Sequence, residues 1–218
     1  MIVEVRAEAP FYKNGFVVGC EKTREAVIID PGDEVDGLLA AVRDHDLDVR
    51  YILLTHAHLD HVTGVRAAKD ATGAPVCLHK DDLFLYNIVP QQGAMFGFKV
   101  QQPPAVDEFY DMTPMHFGEY EVRLHHTPGH CPGGVCLQIG RKGTAGKELF
   151  VGDTLFAGGI GRVDLPGGNY ETLMRSITEV LFALGDDAVV HSGHGPDTTI
   201  GRERKTNPFV LEYLKDKP

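Results

Sequence analysis

The chain has 218 residues, 43% of them hydrophobic and 24% charged, with a formal net charge of −10, values typical of one globular domain of ordinary size. Because phosphate binding needs clustered lysine and arginine, an acidic chain without basic blocks argues against a nucleic-acid partner. It contains no apolar run of about 18 residues or more and no signal peptide, so we expect a cytoplasmic protein without a membrane partner.

Short strands and one helix are predicted in the first fifty residues. Asn14-Gly15 is a strong hairpin-turn signal between the first two strands. Apolar residues recur at helical spacing from Val35 to Val42, which predicts an amphipathic helix of about three turns. The predicted strands are Ile2–Val5, Phe16–Cys20 and Ala26–Ile29.

The apolar run at residues 51–54 predicts a strand, and a cluster of metal-ligand residue types follows it directly. Imidazole and carboxylate groups are ligands that zinc and non-haem iron favour. Four such groups exceed what one tetrahedral ion with an open position can use, so the cluster indicates two adjacent metals. The four candidate ligands are His56, His58, Asp60 and His61.

Beyond this cluster, predicted helices and strands alternate. Apolar spacing predicts a helix that ends near Gly73, a strand at residues 75–78 and a short helix at residues 81–89. Residues 90–105 lack a regular pattern, and we interpret them either as a lid over a site or as a plain surface loop. The alternation predicts mixed α/β layering.

The second half is again rich in predicted strands, at residues 120–124, 135–139, 149–151 and 188–190. A helix is predicted at residues 170–184, because Asn169 can cap its start and Gly185 can end it. Three further candidate metal ligands each follow a strand-like run and lie next to a glycine, where the backbone can turn tightly. These ligands are His130, Asp153 and His194.

The HxHxDH motif at residues 56–61, with the later GH, GD and GHG signals, resembles the metallo-β-lactamase superfamily. The resemblance covers essentially the whole chain, and the seven candidate ligands occur in the family's order. It implies an α/β fold, a four-layer αβ/βα sandwich, formed as a single domain by residues 1–218.

The resemblance also implies two divalent metal ions, with zinc favoured and iron or manganese as alternatives. Asp60 and Asp153 are the catalytic candidates, and metal-bound hydroxide is the implied nucleophile. The implied ligands are His56, His58 and His130 for the first metal, Asp60, His61 and His194 for the second, and Asp153 between the two.

Residues 150–168 and the tail at 193–209 resemble glyoxalase II, in particular its short bacterial members. The resemblance implies hydrolysis of S-lactoylglutathione or a related hydroxyacyl thioester, so the expected partner is a small-molecule thioester. We expect the helical C-terminal extension that binds glutathione in full-length relatives to be missing. Candidate substitutes for its contacts are Arg162, Lys205 and the loop at residues 91–105, although a structural role for Arg162 is equally compatible.

A mononuclear iron persulfide dioxygenase is the main alternative, and its implied ligands are His56, His130 and Asp153. Residues 165–168 favour the hydrolase. A phosphodiester hydrolase is disfavoured by the acidic composition, and a non-catalytic module by the complete ligand set. The four cysteines are expected to be buried, reduced thiols, and they are Cys20, Cys77, Cys131 and Cys136.

Overall fold

A computed structural model describes residues 1–215 and divides them into two compact units. The first unit comprises residues 1–111 and 115–120. The second comprises residues 112–114 and the chain from residue 121 onward. The expectation of a single domain without a helical extension stays a prediction.

The first unit contains a six-stranded sheet in which the strands follow chain order from β1 to β6. The first three strands pair antiparallel and the last three pairings are parallel. Parallel neighbours need a crossover connection, which the predicted helices supply. The strands are β1 (Ile2–Arg6), β2 (Gly15–Gly19), β3 (Glu25–Ile29), β4 (Asp48–Leu53), β5 (Val76–Leu78) and β6 (Glu108–Phe109), and the unit also contains β7 (Met115–Phe117).

The helices of the first unit follow the predicted apolar spacing. The first helix buries the apolar side of the segment from Val35 to Val42, as predicted, and the third ends at Gly73, whose φ of 71° a residue with a Cβ rarely adopts. A 3₁₀ turn precedes the fourth helix. The helices are α1 (Val35–Asp44), α2 (Leu59–Val62), α3 (Val65–Thr72), α4 (Leu83–Asn87) and α5 (Val89–Met95).

The prediction of a tight hairpin turn at Asn14-Gly15 is wrong. Residues 7–14 connect the first two strands, and Gly15 is already the first residue of β2. The reason for a glycine here is space, because a Cβ on Gly15 would lie 2.0 Å from the Glu34 Oε1 atom. The glycine therefore allows the strand to pack closely against a buried carboxylate.

The prediction that residues 90–105 form an irregular segment is wrong for its first part. Helix α5 continues to Met95, and Pro90 lies in its first turn, where a missing N–H costs little. Gly93 lies inside this helix because a Cβ there would approach the Val100 side chain to 2.8 Å. Only the part after α5 is a loop.

The second unit contains a sheet in which neighbouring strands run in the order β14, β13, β10, β9 and β8. Strands β10 and β13 are parallel, whereas β9 and β10 are antiparallel. The strands are β8 (Tyr120–His126), β9 (Val135–Arg141), β10 (Glu148–Gly152), β13 (Val189–Ser192) and β14 (Thr198–Thr199), with a separate hairpin of β11 (Leu155–Phe156) and β12 (Gly159–Ile160).

The predicted helix at residues 170–184 is present in the second unit, and it changes type along its length. It begins as α6 (Tyr170–Arg175), continues as a π-helical segment at 176–180 and closes as a 3₁₀ turn at 181–184. The Asn169 side chain accepts a hydrogen bond from the Thr172 N–H, which confirms the predicted cap. Two further helices were not predicted, α7 (Ile200–Thr206) and α8 (Pro208–Lys215).

The four cysteines are free and buried, which confirms their prediction as reduced thiols. Burial raises the pKa of the Cys77 thiol to about 12, so this thiol is not reactive near neutral pH. Among residues 1–215, no helix has the length and apolar character that crossing a bilayer requires.

Candidate metal centre

The HxHxDH segment begins where the buried strand β4 ends. Leu53 and Leu54 are fully buried, so the segment starts from a fixed position in the first unit. His56, His58 and His61 are at most 9% exposed, and a buried imidazole requires a specific partner. The structure therefore buries the three predicted histidine ligands of this segment, whereas Asp60 is partly exposed, at 17%.

The four predicted ligands of the first unit lie close together. The ring centroid of His56 is 4.9 Å from that of His58 and 4.0 Å from that of His61. The His61 Nε2 atom is 3.8 Å from the Asp60 Oδ2 atom, which is too long for a hydrogen bond. Three imidazoles and a carboxylate thus form one group of nitrogen and oxygen donors.

Asp30, a residue directly after β3 that no sequence motif indicated, supports this group. Its Oδ1 atom accepts a hydrogen bond from the Thr55 N–H at 2.7 Å. Its Oδ2 atom accepts from the Thr55 hydroxyl at 2.5 Å and contacts the His61 Nδ1 atom at 2.9 Å. One sequence signal could have indicated Asp30. It is a carboxylate that directly follows a buried strand, β3, just as the histidine cluster follows the buried strand β4.

These contacts fix the tautomers of two imidazoles. The Asp30 Oδ2 atom accepts these hydrogen bonds, so the His61 Nδ1 atom is the donor, and in the neutral ring the Nε2 atom then keeps its lone pair. The single Thr55 hydroxyl proton is donated to Asp30, so the hydroxyl oxygen, 3.1 Å from the His56 Nδ1 atom, accepts from it. In their neutral forms, both histidines would therefore offer Nε2 to a metal ion, the arrangement typical of metal sites.

Asp30 itself lies near enough to His56 and His61 to be a ligand. We interpret it as a supporting residue, because both of its oxygens already accept hydrogen bonds from groups of the motif. These contacts occupy three of the roughly four acceptor positions of the carboxylate.

Two more side chains hold the backbone between the ligands. The buried Asp82 Oδ2 atom accepts a hydrogen bond from the Ala57 N–H at 3.0 Å. The Gln92 amide accepts from the Leu59 N–H at 3.0 Å and donates to the Ala57 carbonyl at 3.2 Å. Sequence analysis missed both residues, because each acts through the backbone and carries no ligand spacing.

Replacing Gln92 by leucine is expected to weaken metal binding about tenfold, since supporting groups around a site typically contribute roughly 10–100-fold. The substitution removes both hydrogen bonds to the motif backbone and leaves the ligands in place. Competition with a chromophoric chelator measures the affinity. Asn87→Leu, the same type of replacement at an exposed position of α4, is the matched control. Equal affinities of the two variants would contradict a positioning role.

The remaining three predicted ligands form a second group, within the second unit. The Asp153 Oδ2 atom is 3.7 Å from the His130 Nε2 atom and 3.6 Å from the His194 Nε2 atom. Two donors on one ion with metal–nitrogen bonds of about 2.0–2.1 Å are separated by roughly 3.3 Å. The separations exceed a hydrogen bond but fit a carboxylate that shares ions with both rings.

The orientation of His130 is also fixed. Its Nδ1 atom lies 2.8 Å from the Arg162 carbonyl oxygen, which can only accept. Nδ1 therefore carries the proton, and in the neutral ring Nε2 would be the atom available to a metal ion. A Cβ on Gly161 would lie 1.9 Å from the Asp153 carbonyl oxygen. Glycine is thus required where the loop passes the ligands.

The two predicted substrate contacts lie on the surface of the second unit. The Arg162 guanidinium is 62% exposed and forms two 2.9 Å hydrogen bonds with Asp164, which hold the pKa of that carboxyl below its usual range. Lys205 is exposed on α7. The assignment of either residue to a substrate stays a prediction. The Arg162 backbone also has a structural role, because its carbonyl oxygen accepts the hydrogen bond from the His130 ring.

The donor chemistry of each group fits a divalent metal, because neutral imidazole and carboxylate groups are its common ligands. The first unit provides four of the seven predicted ligands, and the second unit provides three. Other histidines have separate contacts within their units. His45 contacts Glu4, His125 contacts Gln138, His126 contacts the Pro132 carbonyl, and His191 contacts both Glu148 and Asp197.

Comparison with known proteins gives a family match over most of the chain. A family model described as the metallo-beta-lactamase superfamily matches residues 9–194. A protein of Haemophilus influenzae named hydroxyacylglutathione hydrolase GloC is 37% identical, over 96% of this chain and 98% of the relative.

Solved structures show the same fold. The BLEG-1 B3 metallo-beta-lactamase superposes with a TM-score of 0.86 at 33% identity, covering 96% of this chain and 99% of that chain. A protein called TTHA1623, solved in a di-iron-bound form, gives a TM-score of 0.82 at 38% identity, with 95% and 100% covered. The predicted α/β fold of the metallo-β-lactamase type is confirmed.

Proposed function

Because this chain belongs to the metallo-β-lactamase superfamily, we propose that it is a metal-dependent thioester hydrolase. The proposed substrate is S-lactoylglutathione or a related hydroxyacyl thioester. The observation that carries the proposal is the 37% identity to the hydroxyacylglutathione hydrolase of Haemophilus influenzae over nearly the full length of both chains. The resemblance of residues 150–168 to glyoxalase II supports the same substrate class.

We further propose that the two ligand groups together hold two divalent ions. When bound, such ions supply a water molecule of lowered pKa and polarise the carbonyl that it attacks. The ligands are divided as the family resemblance implies. They are His56, His58 and His130 for one ion and Asp60, His61 and His194 for the other, with Asp153 shared.

The chain's own residues prepare the site before any substrate binds. Asp30 and Thr55 hold the Nδ1 protons of His61 and His56, and the Arg162 carbonyl holds that of His130. The rings are therefore fixed in the tautomer that offers Nε2, so no proton has to move for the site to assemble. The carboxylates of Asp60 and Asp153 add negative charge, which increases the affinity of the donors for divalent ions.

The metal remains part of the proposal. Mixed histidine and aspartate ligands accept zinc, iron and manganese, and we propose zinc first. The di-iron structure of a 38% identical protein supports iron. The second candidate function is a mononuclear iron persulfide dioxygenase that uses His56, His130 and Asp153. It is supported by the structure of ETHE1 from Myxococcus xanthus, which superposes with a TM-score of 0.76 at 28% identity and covers 99% of this chain and 91% of that chain.

One set of assays separates these functions. The purified protein is reconstituted with zinc, iron or manganese and supplied with S-lactoylglutathione, with glutathione persulfide under oxygen monitoring, and with a chromogenic β-lactam. Thioester cleavage without oxygen uptake is the expected result. Oxygen uptake without thioester cleavage would replace the proposal by the dioxygenase, and β-lactam cleavage alone would place the activity with that of the BLEG-1 protein.

The proposed partner is accordingly a small thioester, without nucleic acid or membrane. A cytoplasmic location is proposed as well, and it is supported by four free, buried cysteines, which are typical of a reducing compartment.

A further inference from the structure

A cavity of about 590 Å³ lies within the first unit, beside the HxHxDH segment. This volume falls in the range of roughly 300–1,000 Å³ that small-ligand sites occupy. One wall is the side of α2 and α3 that carries Leu59, Thr63 and Arg66. The lining also includes the loop at Pro10 and Phe11 and the segment at residues 98–103.

The walls are held by specific contacts. The Phe11 ring packs edge-on against the Phe98 ring at 5.6 Å. The Arg66 guanidinium donates to the Gln102 carbonyl at 2.9 Å, which ties the 98–103 segment to α3. The Thr63 hydroxyl donates to an Asp33 oxygen at 2.9 Å. The cavity is thus part of the folded unit.

The lining combines apolar surface with free charges of both signs. Phe11, Leu59 and Phe98 provide apolar contact area. Lys99 and Asp70 also line the cavity and are exposed, and neither forms an ion pair or hydrogen bond with another of the described residues. A cavity lined by both a cation, Lys99, and an anion, Asp70, is complementary to a ligand that carries both charges.

The position of the cavity connects it with the metal ligands. Leu59 lines it and is the residue between the predicted ligands His58 and Asp60. A molecule bound here therefore lies beside the segment that holds the reacting end of a substrate. In a hydroxyacyl thioester the reacting carbonyl joins a small acyl group to a larger thiol carrier, and a cavity of this volume suits the larger part.

We propose that this cavity binds the thiol-carrier end of the substrate, and that the carrier is a small zwitterionic peptide of the glutathione class. Glutathione carries an ammonium group and carboxylates, which complement Asp70 and Lys99, and its peptide backbone can pack on the phenylalanine rings. The assignment rests on the proposed thioesterase function. It gives this chain a carrier site within residues 10–103, independent of any helical extension.

Charge reversals test the proposal in the metal-loaded enzyme. Lys99→Glu and Asp70→Lys are each expected to raise KM for S-lactoylglutathione about tenfold, since each replaces a charge-assisted contact by repulsion, with kcat unchanged. Neither is expected to change KM for the lactoyl thioester of N-acetylcysteamine, a neutral carrier. Lys80→Glu and Asp44→Lys make the same charge changes at exposed positions outside the cavity and serve as controls.

Calorimetric titration with S-methylglutathione tests the cavity separately from the proposed function, because this thioether has no thioester bond that the enzyme could hydrolyse. Binding that both cavity variants weaken about tenfold and both controls leave intact supports the site, even if no thioester is turned over. Turnover of S-lactoylglutathione with unchanged KM and unchanged binding in both cavity variants overturns the site and leaves the proposed function standing. A KM that rises in Lys99→Glu but falls in Asp70→Lys overturns the zwitterionic carrier.

Discussion

Replacing Asp153 by alanine is expected to lower kcat/KM for thioester hydrolysis by about a thousandfold or more, and to reduce the bound metal. The Asp153 Oδ2 atom lies between the His130 and His194 Nε2 atoms, at 3.7 and 3.6 Å. Without this carboxylate, the two proposed metal ions lose the anionic ligand that they would share. In the proposed mechanism, bound ions would supply the nucleophilic water and polarise the carbonyl, so their loss is expected to remove most of the activity.

Two readouts make the Asp153 result specific. Elemental analysis gives the metal content, and circular dichroism establishes that the variant is folded. Asp187→Ala, at an exposed aspartate of the same unit that pairs with Lys147, is the control and is expected to retain full activity. His58→Ala should behave like Asp153→Ala, and unchanged turnover in both ligand variants would contradict the dinuclear proposal.

Replacing Lys13 by methionine is expected to lower the free energy of unfolding by about 3–5 kcal/mol, the usual cost of leaving one charge of a buried pair alone. The Lys13 and Glu34 side chains are each 1% exposed, and the Lys13 Nζ atom lies 2.6 Å from the Glu34 Oε1 atom. The ammonium also donates to the carbonyl of Asp30. The substitution therefore also removes a contact of the residue that orients His61.

Chemical denaturation of the metal-free protein measures this effect without a contribution from bound ions. The double variant Lys13→Met, Glu34→Gln is expected to recover much of the loss, because no charge is then buried alone. The glutamine can still accept the hydrogen bond that the Gly32 N–H gives to Glu34. A loss below about 1 kcal/mol in the single variant would mean that the pair contributes no more than a surface ion pair.

The sequence was most informative where chemistry and local pattern coincide. The apolar run before His56 predicted a buried strand, and the strand, β4, ends at Leu53. The capped helix at 170–184 was predicted from local signals, namely Asn169 at its start and Gly185 at its end. Both features depend on neighbours in the chain.

Features that depend on distant contacts were missed. Asp30 is separated by 31 residues from the His61 ring that it orients, and Gln92 is 33 residues from the Leu59 N–H that it binds. Residues 90–105 were predicted to form a lid or a loop, yet Pro90 lies in the first turn of α5 and Gly93 lies against Val100. No local pattern contains these pairings, because packing creates them.

The carrier cavity also depends on contacts between residues that are distant in the sequence. Its lining comes from residues 10–11, from α2 and α3, and from residues 98–103. The loop at residues 91–105 was a predicted site of glutathione contacts, but no local pattern connects Lys99 with Asp70. Their proximity to one cavity results from the fold.

The stoichiometry of metal binding tests the central claim most directly. The purified chain is stripped of metal, titrated with zinc, iron or manganese, freed of excess metal and subjected to elemental analysis, with thioesterase activity measured on the same samples. We expect two equivalents per chain and maximal activity only when both are bound. Full activity at one equivalent or fewer would contradict a dinuclear centre built from the two ligand groups.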